Sequence, residues 1–301
     1  ETRIKSCDVI LPELEKGIIP VVTGFFGATS EGLVAALGRG GSDFTAAILG
    51  DALDADEVWT WTDVDGVMTA DPSIVADARV IKELNFDEVS EMAYFGAKVL
   101  HPKTMRPLIE KNIPIWVKNT FNLEAEGTRI SSNVEQRPGK ISCVTAIRDV
   151  CLITVRGRGM LGVPGVAART FSAVASENAS VLMISQSSSE QSICFVIPEK
   201  DVDRVTKALN NNLSFELERG DIDAVTAMRD VVIVTAIGAG MRHTPGVSAR
   251  IFKALGEESI NVIAIAQGSS EFSISLIVSS AEADQAVLQI HQEVIINGHK
   301  K

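Results

Sequence analysis

Apolar and polar positions follow two different patterns along this chain, and the change between them divides it. From Glu1 to about residue 130, apolar runs of strand length alternate with stretches of helical spacing. The expected strands are Ile18–Thr23, Glu57–Trp61 and Ile113–Lys118, and the expected helices are Ser42–Leu53, Asp87–Phe95 and Lys103–Lys111. Such alternation predicts a mainly parallel sheet covered by helices.

Beyond that point the chain repeats itself. Val144–Ile197 aligns with Val225–Val278 without a gap, at an offset of 225 − 144 = 81 residues. About half of the aligned positions are identical, far more than chance gives over such a window. VTAIRD answers VTAMRD, GRGMLGVPGVAAR answers GAGMRHTPGVSAR, and QSSSEQSI answers QGSSEFSI. The first copy reads as a strand over Val150–Val155, a turn over Gly157–Gly165 and a helix over Gly165–Ser176 that opens near Pro164. Two short strands, Val181–Ile184 and Ile193–Ile197, and a further helix follow. This βαββα order predicts a small α+β sandwich, made twice. The polar segment Ser131–Lys140, which contains Pro138-Gly139, reads as a linker. The expected division is therefore 1–130, a linker over 131–140, a first repeat over 141–222 and a second over 223–301.

Composition narrows the function. With 301 residues, 46% hydrophobic and 22% charged, the chain can build two or three domains with real cores. A net charge of −11 and the lack of any Lys/Arg cluster argue against nucleic-acid or anionic-membrane partners. The longest apolar runs, such as Val231–Ile237, stay far below the roughly 20 residues of a membrane span. Glu1–Asp8 is charged and polar with no signal region, so the cytoplasm is the expected compartment. The absence of an initiating Met leads to the expectation that the sequence begins inside a domain. Cys7, Cys143, Cys151 and Cys194 lie far apart, without CxxC spacing or paired histidines. They read as reduced, core-filling thiols, and no structural metal is expected.

Four stretches could carry chemistry. LGRGGSD, Leu37–Asp43, runs into an Ala-rich helix. Its glycines would let backbone N–H groups crowd an anion, with Ser42 capping the helix; a plain flexible turn fits the local pattern equally well. WTDVDGVMTADP, Trp61–Pro72, gathers Asp63, Asp65 and Asp71 after a strand. It is either a ligand loop at the carboxyl end of a parallel strand or a solvated turn; it lacks the spacing and the twelfth-position Glu of a calcium loop. FGAKVLHP, Phe95–Pro102, offers Lys98 and His101. Composition alone makes that Lys a surface residue, and that His, lacking partners, structural. Finally, Gln186 and Gln267 end matched strands. An amide suits a ligand with a hydroxyl or a zwitterionic backbone, and the Gly-rich turns offer N–H groups for its carboxylate; edge glutamines repeated by duplication alone are the plainer reading.

Taken together, GFFG at Gly24–Gly27, LGRGGSD, WTDVDGV at Trp61–Val67 and YFGAKVLHP at Tyr94–Pro102 resemble the aspartokinases in order and spacing. The duplicated half resembles the paired ACT domains of the same family. The resemblance implies an α/β amino-acid-kinase domain of carbamate-kinase type, truncated at its N-terminus, followed by two ferredoxin-like βαββαβ ACT domains. It implies phosphoryl transfer from ATP, with Mg²⁺, to the β-carboxylate of L-aspartate, the first step toward Lys, Thr and Met. By the same resemblance Phe25, Arg39, Ser42 and Asp43 would line the aspartate pocket, and Asp43 would orient catalytic lysines. Thr62, Asp63, Met68, Lys98 and Val99 would serve the nucleotide, Lys98 also neutralising charge on the transferring phosphoryl group. Met68 and Ser73 stand where the family usually has Tyr and Arg, which leaves Arg79 as a possible substitute. The family's N-terminal Lys-Phe-Gly-Gly-Thr-Ser segment is not in this sequence, so the chain by itself is expected to be inactive or nearly so. The alternative it leaves open is an amino-acid-sensing regulatory fragment or subunit. The QSSSE and QGSSE forms resemble threonine-sensitive members, which makes threonine the expected effector and lysine the second choice. Ile184, Gln186, Ile265 and Gln267 would line its sites, with Ser180, Asn261 and Val262 nearby. ACT domains pair through their edges, so a homodimer is expected.

Overall fold

The computed structural model describes every residue except 39, 98, 99, 101, 136, 137, 161, 162, 187–190, 300 and 301, and leaves out the side chains of 103 and 299. It comprises two compact units: Glu1–Cys143 with Ile237–Thr244 and Gly298–Lys301, and Val144–Ala236 with Pro245–Asn297.

The first unit opens with helix α1 (Thr2–Glu15), which the polar start of the sequence had not suggested. Its side chains are mostly exposed and only Ile10 is buried, so no amphipathic stripe announces it. The residues that follow correct an expectation. Ile18–Thr23 is not a strand, and Ile19 and Val21 lie 85% and 95% exposed. An apolar run with no alternation has to be covered on both faces and paired at its edges to be a strand, and among the described residues no strand pairs with it. A small antiparallel hairpin of β1 (Phe26–Ala28) and β2 (Val34–Ala36) comes next.

Helix α2 (Gly41–Ala52), strand β3 (Val58–Thr62), β4 (Glu83–Leu84), helices α3 (Phe86–Tyr94) and α4 (Pro102–Lys111), and strands β5 (Ile115–Asn119) and β6 (Thr128–Ile130) complete the region. The sheet order is β3-β5-β6-β4. β3 runs parallel to β5 with Val58 opposite Ile115, and β4 parallel to β6, but β5 and β6 are antiparallel. Two of the three pairings are parallel, as the alternation predicts, and the one antiparallel pair arises where the short connection between β5 and β6 folds the chain straight back instead of crossing over. Helix α3 has clear local causes. Asn85 and Glu88 form a capping box, with Glu88 N–H donating to Asn85 Oδ1 at 2.7 Å and Asn85 N–H to Glu88 Oε2 at 3.1 Å. Phe86, Val89 and Met92 recur at helical spacing and are buried.

The second unit carries the repeats. Strand β7 (Cys143–Arg156), helix α5 (Val166–Ser176), β8 (Met183–Gln186), β9 (Ser192–Pro198), and helices α6 (Val202–Asn212) and α7 (Ser214–Arg219) lead into β10 (Ala224–Ile237). Helix α8 (Val247–Glu257), strands β11 (Ala264–Gln267) and β12 (Ser273–Ser279), and helix α9 (Ala283–His291) follow. One six-stranded sheet has the order β11-β12-β10-β7-β9-β8. The expected βαββα order gains its closing strand from β10, which also opens the second copy. Strand alternation builds the core: Cys151, Ile153 and Val155 of β7 and Ile193, Phe195 and Ile197 of β9 face inward onto Val205 and Leu209 of α6. No helix among the described residues is long and apolar enough to cross a membrane.

Packing requires glycine at Gly157 and Gly159 in the first turn. A Cβ built on Gly157 would lie 2.2 Å from Asp221 O, whereas one on Gly256, inside α8, meets nothing within 4 Å. Gly157→Ala is expected to lower stability by about 1–3 kcal/mol or more through overpacking, and Gly256→Ala to raise it by about 0.5–1 kcal/mol. Urea denaturation midpoints of the two variants check both signs.

Candidate functional site

The start of α2 is assembled from two of the sequence motifs. Gly40 at the N-cap adopts a left-handed conformation with φ 73°, and no side chain caps the helix. This corrects the expectation for Ser42: the left-handed glycine starts the helix earlier, and Ser42 is left exposed in its first turn. Phe25 of GFFG is the neighbour. Its φ of 66° is unusual for a bulky residue and costs about 1–3 kcal/mol that the surroundings must offset. They do so with three contacts. Phe25 N–H donates to Thr45 Oγ1 at 3.1 Å, Leu37 N–H donates to Phe25 O at 2.8 Å, and Gly41 leaves room where a Cβ would come within 3.0 Å of Phe25 Cα. Thr45 Oγ1 in turn donates to Gly41 O at 2.8 Å. Strained backbone is thus held firmly beside a helix N-terminus that no side chain caps.

Asp43, in the first turn of α2, is half-buried and shares a small cavity with Ala47, Val58, Thr60 and Leu108. That burial pushes its carboxyl above the usual carboxylate range.

The acidic loop after β3 uses its three aspartates differently. Asp65 Oδ1 accepts from the amides of Asn119 at 2.7 Å and Asn122 at 3.1 Å, which ties the loop to the end of the parallel neighbour β5. Asp71 accepts from the backbone and hydroxyl of Ser73 at 2.9 and 2.6 Å and so shapes a local turn. Asp63 is exposed, and its Oδ1 accepts from Thr62 Oγ1 at 3.1 Å. Thr62 ends β3 directly opposite Asn119. Met68 bridges to Val80, and next to it Thr69 N–H donates to Arg79 O at 2.9 Å. Lys82, Val80, Asn122 and Glu124 line a cavity of about 370 Å³ with Asp65. Arg39, Lys98 and Val99, expected at this site, lie outside the described residues, as does His101.

In the second unit, Gln186 lines a cavity of about 320 Å³ with Met160, Pro164, Gly165, Val166 and Ile193. Gln186 thus shares this cavity with the N-terminal turn of α5. Ile184 and Ile265 are 51% and 45% exposed, and Ser185 Oγ donates to Ile265 O at 3.0 Å, so β8 and β11 meet although each ends the strand order. Gln267, Ser180 and Asn261 are exposed and Val262 is half-buried. The cysteines are all free thiols, and among the described residues no cluster of His, Cys, Asp and Glu could hold a metal.

Sequence reasoning missed Thr45, Asn119 and Glu88. Only the last left a local signal, in the N-x-x-E spacing from Asn85.

Residues 3–119 match the amino acid kinase family, and residues 153–213 and 234–294 each match the ACT domain. The chain is 42% identical over 284 residues to a chloroplastic bifunctional aspartokinase/homoserine dehydrogenase 1 of Arabidopsis thaliana, across 93% of this chain and 31% of that protein. It thus spans about a third of the length of that relative. Among solved structures it resembles Clostridium acetobutylicum aspartate kinase, with 26% identity and a TM-score of 0.84 over 97% of this chain and 64% of that one. It also resembles E. coli aspartokinase III in complex with lysine and aspartate, with 33% identity and a TM-score of 0.78 over the same shares.

Because the folded state raises the pKa of Asp43, it binds more protons than the unfolded state between the two pKa values, and stability falls as pH rises through that window. Asp43→Asn is expected to stabilise the fold at neutral pH, with the gain fading as pH drops through the carboxylate range. Denaturation curves of both forms from neutral to acid pH check the sign.

Proposed function

The chain belongs to the aspartokinase family, as the later part of an amino-acid-kinase domain followed by two ACT domains, and on that premise we propose that it serves ATP-dependent phosphorylation of L-aspartate under amino-acid control. The observation that carries this reading is the meeting of Phe25 and the uncapped start of α2. A carboxylate seated there gains from the aligned N–H groups of the helix. The nucleophile would be the β-carboxylate of aspartate, already ionised at neutral pH given a reference pKa near 3.9. No general base is required. The difficulty is bringing two anions together, which calls for positive charge and fixed positions. Arg39 supplies a forked donor for a substrate carboxylate, Lys98 offsets phosphoryl charge, and Asp43 orients cationic partners. E. coli aspartokinase III has been solved with aspartate and ADP, at 33% identity and a TM-score of 0.75.

The nucleotide would sit at the carboxyl ends of β3 and β5, where ligands collect in α/β sheets. Thr62 and Asp63 are the polar groups presented there, and Asn119 and Asn122 hold the loop in place through Asp65. Mg²⁺ would supply phosphate charge neutralisation as the nucleotide's counter-ion.

The effector reading rests on Gln186 and the start of α5 lining one cavity of amino-acid size. Threonine is the proposed ligand, bound by its carboxylate at the turn and by its hydroxyl or ammonium at the amide. The apolar side chains of Ile184 and Ile265, exposed where β8 and β11 meet, favour pairing of two copies through this half.

Calorimetric titration of this chain with threonine is expected to give saturable heat, and Gln186→Ala to weaken binding about tenfold through a lost hydrogen bond of about 1–1.5 kcal/mol. Heat with lysine in place of threonine would reassign the ligand; silence with threonine, lysine and methionine would remove the sensor role. In the full-length protein, Lys98→Met is expected to cut ADP release with aspartate by about 10²–10³, and unchanged turnover would refute the site.

A further inference from the structure

The two Gly-rich turns are copies of each other, and most of their contacts are copies as well. Within the second unit, Gly157 packs against Asp221 and Ile222, and Asp223 N–H donates to Arg156 O at 2.7 Å. Within the first unit, Gly238 packs against Lys140 and Ile141, where a Cβ would lie 2.7 Å from Lys140 O, and Ser142 N–H donates to Ile237 O at 2.7 Å. Each of these residues is the 81-residue counterpart of the other: 140 and 221, 141 and 222, 142 and 223, 156 and 237, 157 and 238.

The symmetry breaks at one atom. In the first repeat the turn N–H of Arg158 donates to the Asp223 carboxylate at 3.3 Å. In the second repeat the matching donor is Ala239 N–H, but the residue matching Asp223 is Ser142, which has no carboxylate to offer. The acceptor comes instead from α3: Ala239 N–H donates to Glu88 Oε1 at 3.0 Å, and Ser142 Oγ donates to the same oxygen at 2.5 Å. The other oxygen, Glu88 Oε2, accepts from Asn85 N–H and closes the capping box. Glu88, Ser142 and Ala239 are 5%, 5% and 4% exposed. A carboxylate this buried is kept only because it is hydrogen-bonded, and here one carboxylate serves both a helix start and a turn 151 residues away in sequence.

We infer that Glu88 is a positioning residue that makes the second repeat's turn an extension of the N-terminus of α3, and that the turn transmits its movements to the helix leading into YFGAKVLHP. The first repeat's turn has its own carboxylate in Asp223 and is not tied in this way. The transmission rests on the reading that an amino acid binds the repeats; the tether does not. Rigid elements sharing one hydrogen-bonded group can carry such coupling when a ligand favours one of two arrangements.

Hydrogen exchange on this chain, read at residues 86–94 and 239–241, tests both parts. Without ligand, Glu88→Ala should speed exchange at Ala239–Met241 tenfold or more, whereas Asn85→Ala should speed only the first turn of α3. Equal acceleration of the turn in both variants, or none in Glu88→Ala, would overturn the tether. Ser142→Asp guards against failure of Glu88→Ala to fold: it gives the second turn the first repeat's acceptor, so the turn should stay protected while parting from α3. With saturating threonine, the wild-type turn and α3 should respond together, and in Ser142→Asp the turn alone. A response of α3 unchanged by Ser142→Asp, or a silent α3 beside a responding wild-type turn, would overturn the transmission. If threonine, lysine and methionine all leave the turn unchanged while the ligand-free differences persist, the effector reading fails, the transmission fails with it, and the tether stands.

Discussion

Two backbones pass closer at Gly157 and Gly238 than any side chain allows, and much of the repeated half follows from that approach. With no Cβ in the way, Asp223 N–H reaches Arg156 O in one unit and Ser142 N–H reaches Ile237 O in the other, each at 2.7 Å. These bonds place the end of each long strand against the residues that lead into the other. Helices α5 and α8 each start at a glycine in the left-handed region, Gly165 and Gly246, with no side-chain cap. At Gly157 and Gly238 the chain is backbone held at contact distance.

The duplication was the most legible feature of the sequence, since an ungapped offset survives any error in assigning elements. Helices with their own local signals were read within a residue or two: α3 carries its capping box and α4 opens on Pro102. The failures share a cause. Ile18–Thr23 has the composition of a strand, but a strand exists only through its pairing, which composition does not encode. Helix α1 has no apolar stripe to betray it, and the cap expected from Ser42 yielded to a glycine two residues earlier.

For the candidate site, the motifs named residues but not the bonds that fasten them. Thr45 looks like any helical threonine until its hydroxyl is seen bridging Gly41 and Phe25. Asn119 and Asn122 sit at the end of β5 with nothing local to link them to Asp65, 54 and 57 residues away. Glu88 was visible as half of a capping box, and its second allegiance was not, because a carboxylate's spare lone pairs are spent on whatever the fold brings near. Residues that touch a ligand tend to stand in recognisable strings, whereas those that hold the strings together are scattered.

Cys143 lies beside the shared carboxylate of Glu88, 1% exposed, and its thiol is pushed well above its ordinary range by burial and then by that negative charge. Since the thiolate is the reactive form, this sulfur is mute toward alkylating and oxidising reagents for as long as the seam around it stays shut. Exposure to water would remove the larger of the two causes that hold the thiol protonated, so the reactivity of Cys143 follows how tightly the chain closes around it.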